Sequence, residues 1–150
     1  MERLSNRLIA CCSVLVLAGT LSVAQDFKQY PGAKLDEQAG RQASATAKDL
    51  ECQVYTTSDA YDKVHAFYKS LYKEFPTPFP TQKLPNGQEV KWAFFILDGS
   101  KDLSHSKYWM KIQRPYIGTI AEGTPGDFKE VRNVSVIQTV RTSRTKTGSY

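Results

Sequence analysis

The sequence predicts an α+β domain in which one main amphipathic helix packs on a mostly antiparallel sheet of about four strands. Three observations predict it: an alternating segment at 50–56, an aromatic stripe with helical spacing at 60–75, and three apolar or β-branched segments after residue 88. Short connections among the last three segments favour antiparallel pairing. The expected order is strand, helix, then three strands, with the helix stripe and the inward strand faces forming the core.

The first strand is predicted from a period of two. Leu50, Cys52, Val54 and Thr56 fall on one face of the segment and more polar residues fall on the other, which is typical of a half-buried strand. Cys52 therefore belongs to the inward set. We expect a buried neutral thiol there, because a reactive thiol needs exposure and a cationic neighbour.

The helix prediction rests on a stripe of large side chains. Residues 56–59 supply hydroxyl and carboxylate groups that can cap a helix start. Seven large residues then share one side of a helical wheel: Tyr61, Val64, Phe67, Tyr68, Leu71, Tyr72 and Phe75. Pro76 ends the helix, because proline cannot continue it. A stripe with this spacing is more often core than a ligand platform.

Three further strands are predicted at 89–97, 107–113 and 130–140. Asp98-Gly99 makes a turn after the first, Pro115 ends the second, and 118–127 has the composition of a loop. Prolines between residues 76 and 88 predict a stiff loop before the first of these strands.

The N-terminus predicts export. Arg3 and Arg7 precede an uncharged stretch of about 12 residues, and Ser22-Val-Ala24 places small residues where signal peptidase reads. We interpret residues 1–24 as a signal peptide and expect a periplasmic or secreted protein without a transmembrane helix after cleavage. A retained N-terminal anchor is the alternative, although the stretch is shorter than a membrane span.

The remainder divides into three parts. Residues 25–47 are expected to be an extended or flexible lead-in, because 34–47 hold almost no large apolar side chains. Residues 48–142 form the single domain, and 143–150 form a basic flexible tail. Cys52 is the one cysteine left after signal cleavage, so the fold must hold by packing without an intramolecular disulfide.

The sequence lacks the motifs that identify common catalytic and metal-binding sites. It contains no Gly-x-Ser-x-Gly, Cys-x-x-Cys, His-x-x-x-His or His-Glu-x-x-His pattern, so we expect no metal site and no cofactor. The chain has two histidines, His65 and His105. A small envelope hydrolase or transferase that uses one of them is the alternative function.

Three short motifs resemble a known group of proteins. Tyr30-Pro-Gly-Ala33, Tyr55-Thr-Thr-Ser-Asp59 and Val64-His-Ala-Phe-Tyr68 are similar to motifs of small exported bacterial proteins of unknown function. In those proteins a YPGA lead-in precedes a strand, and T-x-D opens a helix that carries V-x-x-F-Y. The resemblance implies a bacterial envelope protein and assigns no catalytic residue to this chain.

The leading functional hypothesis is a non-catalytic domain that binds a protein or small-molecule partner through a sheet face or the proline loop 76–88. Eight Tyr, seven Phe and two Trp motivate it, since aromatic residues serve recognition. The candidate contacts are Tyr55, Phe95, Trp109 and His105. No nucleic-acid partner is expected in an exported protein. A further alternative is binding of an anionic envelope surface through residues 141–150.

Overall fold

A computed structural model describes residues 26–46, 49–76, 81–118 and 130–142. Within them the chain is mainly β, with nine strands and two short helices. The elements in chain order are β1 (Lys34–Leu35), α1 (Glu37–Ala45), β2 (Leu50–Thr57), α2 (Tyr61–Lys69), β3 (Lys73–Phe75), β4 (Gln82–Lys83), β5 (Glu89–Ile96), β6 (Tyr108–Arg114), β7 (Tyr116–Ile117), β8 (Val131–Arg132) and β9 (Ser135–Thr142).

Seven strands form one antiparallel sheet in the order β1-β2-β9-β6-β5-β3, and β4 also pairs with β5. β7 and β8 make a separate two-stranded ribbon. The centre of the sheet is the β6–β9 pair, where Ile112 lies opposite Ile137 and Lys111 lies opposite Gln138. Three of the four long strands, β2, β5 and β6, match the predicted segments at 50–56, 89–97 and 107–113. The segment predicted as one strand at 130–140 is divided between β8 in the ribbon and β9, which begins at Ser135.

The prediction of an α+β fold with one helix on about four strands is therefore wrong. The sheet has seven strands because β1, β3 and β4 pair along its outer parts over two or three residues each. Strands of two or three residues are too short to show an alternation of apolar and polar residues in the sequence. Their pairing satisfies backbone groups that a bare edge would leave open.

The predicted helix 60–75 is also shorter than its apolar stripe. α2 ends at Lys69, and the amides of Leu71 and Tyr72 donate to the Tyr68 carbonyl at 3.0 and 2.9 Å as the chain turns. Residues 73–75 then pair with β5. The turn keeps Tyr72 in the core, so the apolar spacing persists while the backbone changes from helix to strand.

The segment expected to be an extended lead-in is ordered in the structure from residue 26 to residue 46. Tyr30 and Ala33 belong to the core, and α1 follows. The Asp36 side chain caps α1 by accepting a hydrogen bond from the Ala39 amide at 3.0 Å. The buried positions of this helix are Ala39 and Gly40, so it lacks the large apolar residues that would reveal it.

Each face of the sheet carries one of the helices. Val54 of β2 packs with Ala39 beneath α1, whereas the next residue, Tyr55, packs against the cluster that contains Val64 and Tyr68 of α2. Successive residues of a strand point to opposite faces. The two helices therefore cover opposite sides, and α1 covers only the part around β2.

Most of the aromatic residues pack against α2. The fully or largely buried ones are Tyr30, Tyr68, Tyr72 and Phe95, and five partly buried ones pack against them: Phe27, Tyr55, Tyr61, Phe67 and Tyr108. The rings contact one another, for example Phe27 with Tyr55 at 5.4 Å between centroids. Core packing thus accounts for most of the aromatic content that motivated a recognition role.

The predicted signal peptide 1–24 and basic tail 143–150 lie outside the described residues, as do residues 77–80 of the proline loop. Of the helices in the described part, none has the length and apolar character needed to cross a membrane.

Candidate functional site

A cleft of about 640 Å³ opens between α1, the sheet and β7. Its walls are mostly apolar and include Ala39, Ala43 and Tyr116, with the exposed Gln42 and Thr46 at the α1 side. Its floor is the sheet, where three polar side chains of the two central strands, Lys111, Gln113 and Gln138, lie beside Val54 and Val136. This combination of apolar walls with a few convergent polar groups is typical of small-molecule sites.

Small residues bring α1 close to the sheet and so create the cleft wall. A Cβ added at Gly40 would lie 3.4 Å from the Cys52 carbonyl oxygen. Beside it the Ser44 hydroxyl accepts a hydrogen bond from the Cys52 amide at 3.1 Å. The helix therefore rests on β2 through short contacts, and space remains between its Ala43 side and the central strands.

The second wall is held by Arg132 of β8. Its guanidinium donates to Asp36 Oδ2 at 2.8 Å and lies over the Tyr116 ring, 4.1 Å from the centroid. Asp36 is the residue that caps α1. One arginine thus joins the β7–β8 ribbon to the start of α1, on either side of the cleft.

Lys111 is the central charge of the cleft floor. It lies opposite Gln138 of β9 on one side and Phe94 of β5 on the other. Its side chain is half-buried, and it forms no ion pair with any described residue. Burial lowers the pKa of its ammonium group below the ordinary value, and Cys52 is the neighbour that acts in the opposite direction.

Two other cavities are less suited to a ligand. A groove of about 550 Å³ lies on the other side of α1 and includes the exposed Leu35. It is shallow and offers no half-buried cation. A hollow of about 250 Å³ between Tyr61, Lys91 and Arg114 is smaller still. The cleft over Lys111 is the most complete candidate site of the three.

Neither histidine lines these three cavities. His65 is half-buried, its Nε2 lies 2.9 Å from Glu74 Oε1, and its ring stacks on Tyr61. This pair joins α2 to β3. The contacts of His65 are therefore those of a packing residue.

His105 belongs to an exposed loop cluster. Its Nδ1 lies 2.7 Å from Asp102 Oδ1, and the Ser104 hydroxyl donates to the same oxygen at 2.6 Å. These two contacts hold the pKa of Asp102 far below its ordinary range. The Ser104 hydroxyl also lies 3.2 Å from His105 Nδ1, and the imidazole is largely exposed. The arrangement closes a surface loop and lies outside the three cavities described above.

The four predicted contact residues do not lie on one surface. Phe95 is completely buried beneath α2, and Tyr55 lies on that same face, where Phe27 packs on it. Trp109 is on the opposite face, with its ring 5.9 Å from that of Phe94, and His105 is in the loop. None of the four lines the cleft.

Sequence reasoning missed the cleft residues. A signal was present in Lys111, Gln113 and Gln138, which are polar and alternate with buried residues on two apolar strands. Alternation alone assigns such residues to solvent. Only the presence of α1 and β7 turns that face into a cleft.

Comparison with known proteins gives no relative. No family model, no curated protein and no solved structure matches the chain. Among the residues that the structure describes, no group of three or more His, Cys, Asp or Glu side chains could hold a metal ion.

Proposed function

We propose that this protein is an exported, non-catalytic binding domain that holds a small organic ligand in the cleft between α1 and the sheet. The observation that carries the proposal is the half-buried Lys111 on the floor of that cleft without a carboxylate partner among the described residues. Export is supported by the signal sequence predicted at residues 1–24.

The size and lining of the cleft support a small ligand. Its volume of about 640 Å³ lies within the roughly 300–1,000 Å³ of small-molecule sites. The apolar walls can bury a ligand body, and the three polar floor residues can fix its orientation. A large protein partner would not fit between α1 and β7.

The lining favours binding over catalysis. The titratable side chains that line the cleft in the described part of the chain are Lys111 and Tyr116. Neither has an acidic or imidazole neighbour in the lining that could act with it in proton transfer. The alternative of a hydrolase or transferase at His65 or His105 has weaker support, since one histidine is packed and the other is exposed.

The proposal is tested with a neutral fluorescent probe, 1-pyrenebutanol, whose emission reports the polarity around its ring. We expect the wild-type protein to bind it. Ala43→Phe should weaken binding at least about tenfold, because the new ring fills the cleft. Gln38→Phe is the matched control, since Gln38 is exposed on the same helix and lines none of the three cavities.

Two results would count against the proposal. One is a wild-type protein that does not bind the probe. The other is an Ala43→Phe variant that binds it as well as wild type does. Circular dichroism on both variants checks that the helix and the sheet are retained.

A further inference from the structure

We infer that the ligand of the cleft carries one carboxylate on an apolar body, and that Lys111 binds this carboxylate together with the amide of Gln138. The inference rests on the proposed function, because it names the ligand class of the same cleft.

The position of Lys111 is the first argument. It lies in the middle of β6, between β5 and β9, in the centre of the sheet. Its side chain is half-buried there, and a cation that loses water without a partner destabilises the fold. Of the described residues, none forms an ion pair with Lys111. A bound anion would supply the missing partner.

The second argument is the pair of donors. Lys111 and Gln138 are directly opposite on neighbouring strands, a relationship that puts their Cβ atoms roughly 5 Å apart. An ammonium and a side-chain amide at that spacing can each donate to one oxygen of a carboxylate. The side-chain amide of Gln138 forms no hydrogen bond with any described residue, so it is available to a ligand.

The neighbouring amide is already oriented. Gln113 Nε2 donates to the Pro115 carbonyl at 3.0 Å, which fixes that side chain beside Lys111 on the same strand. Gln113 therefore lines the cleft next to Lys111 with its side-chain amide held in place by this contact.

The charge of the lining limits the ligand to one negative charge. Lys111 is the one cationic residue among the described side chains of the cleft. Arg132, which is close to Tyr116, is already bound to Asp36. A phosphate ester with two negative charges would leave one of them unpaired against Ala39, Val54 and Val136. A monocarboxylate matches both the single cation and the apolar walls.

The experiment compares two probes that differ only in their end group, 1-pyrenebutyrate and 1-pyrenebutanol. The wild-type protein is expected to bind the carboxylate about ten- to hundredfold more tightly than the alcohol. Lys111→Met should remove this preference, so that the two probes bind the variant with about equal affinity. Lys107→Met is the matched control, because Lys107 is exposed and outside the cleft, and it should keep the preference.

Lys111→Arg controls for a folding defect at this position. It retains the charge and is expected to retain most of the preference for the carboxylate. The inference is overturned if Lys111→Met still prefers the carboxylate, or if wild type binds both probes equally. In either case the proposed function still stands if the wild-type protein binds 1-pyrenebutanol and Ala43→Phe abolishes this binding. If Ala43→Phe binds both probes as tightly as the wild-type protein does, the proposed function itself is overturned.

Discussion

Asp36 and Arg132, 96 positions apart in the chain, meet at 2.8 Å between Oδ2 and Nη2. The same aspartate accepts a hydrogen bond from the Ala39 amide at the start of α1. Because Arg132 also covers the Tyr116 ring, this contact connects the two walls of the cleft. The start of α1 and the position of Arg132 therefore share the Asp36 carboxylate, while Glu130 Oε1 also holds the arginine, 3.0 Å from its Nε.

Replacing Asp36 should loosen α1. Asp36→Ala removes both the helix cap and the ion pair, and we expect it to lower the free energy of unfolding by about 1–2 kcal/mol. Asp36→Asn keeps a capping oxygen and removes the charge, so its effect should be smaller. Urea unfolding followed by circular dichroism measures both. Equal stability of wild type and Asp36→Ala would contradict the described cap.

The environment of Asp36 also predicts that the stability of the protein falls at acid pH. Hydrogen bonding from the Ala39 amide, together with the Arg132 pair, holds the pKa of Asp36 below its ordinary value of 3.8. A carboxyl with a lowered pKa in the folded state adds stability that is fully present above pH 4–5 and is lost as the pH falls through the folded pKa. Asp36→Asn should therefore lose less stability than wild type between pH 5 and pH 2.

Gly40 tests how closely α1 must approach β2. Gly40→Ala should be tolerated or slightly stabilising, because a Cβ there meets the Cys52 carbonyl oxygen at 3.4 Å and alanine favours the helix by about 1 kcal/mol. Gly40→Leu should push the helix away, lower stability and weaken binding of 1-pyrenebutanol. Tight probe binding by the leucine variant would show that the cleft does not need this contact.

Lys111 should destabilise the unliganded protein. Burial lowers its pKa in the folded state, so the unfolded chain holds the proton more tightly and the stability of the fold rises with pH between the folded pKa and about 10.5. Cys52 and Tyr116 are the other titratable groups near it. Lys111→Met should be at least as stable as wild type at pH 7, and the difference should shrink towards pH 10. Urea unfolding at several pH values measures it, with Lys107→Met as the control.

The buried hydroxyl of Tyr68 allows a test of the core beneath α2, on the other face of the sheet. The Tyr68 side chain is completely buried, and its hydroxyl has no hydrogen-bond partner of good geometry in the described part of the structure. Burial raises the pKa of this phenol, and the nearby Tyr30 backbone acts in the opposite direction. Tyr68→Phe removes the unpaired hydroxyl and keeps the ring, so we expect stability to stay equal or rise by up to about 1 kcal/mol. A loss above about 1 kcal/mol would reveal a partner for the hydroxyl.

The sequence predicted the centre of the fold better than its edges. The segments that became β2, β5, β6 and β9 carry alternating or continuous apolar residues, since they are covered by helices or neighbouring strands. β3 was hidden inside the predicted helix 60–75, because its residue Phe75 continues the apolar spacing of Tyr72, which lies in the turn before β3 and is buried in the core. α1 escaped detection because it packs through Ala39 and Gly40, which leave no hydrophobic pattern.

The candidate site could not be predicted for a related reason. Lys111 and Gln138 alternate with buried residues, and such positions usually face water. They become the floor of a cleft only because α1 and β7 cover their side of the sheet, and both elements are too short or too polar to be read from periodicity. The aromatic residues that suggested binding instead build the core beneath α2.

The pKa of Lys111, measured by NMR from its ¹³Cε shift, tests the central claim most directly. Spectra recorded against pH without ligand, with 1-pyrenebutyrate and with 1-pyrenebutanol would be assigned by the signal that Lys111→Arg removes. Binding of a carboxylate to the protonated amine must raise this pKa. We predict a raised pKa with pyrenebutyrate and no rise with the alcohol. An unchanged pKa in saturating pyrenebutyrate would contradict the account.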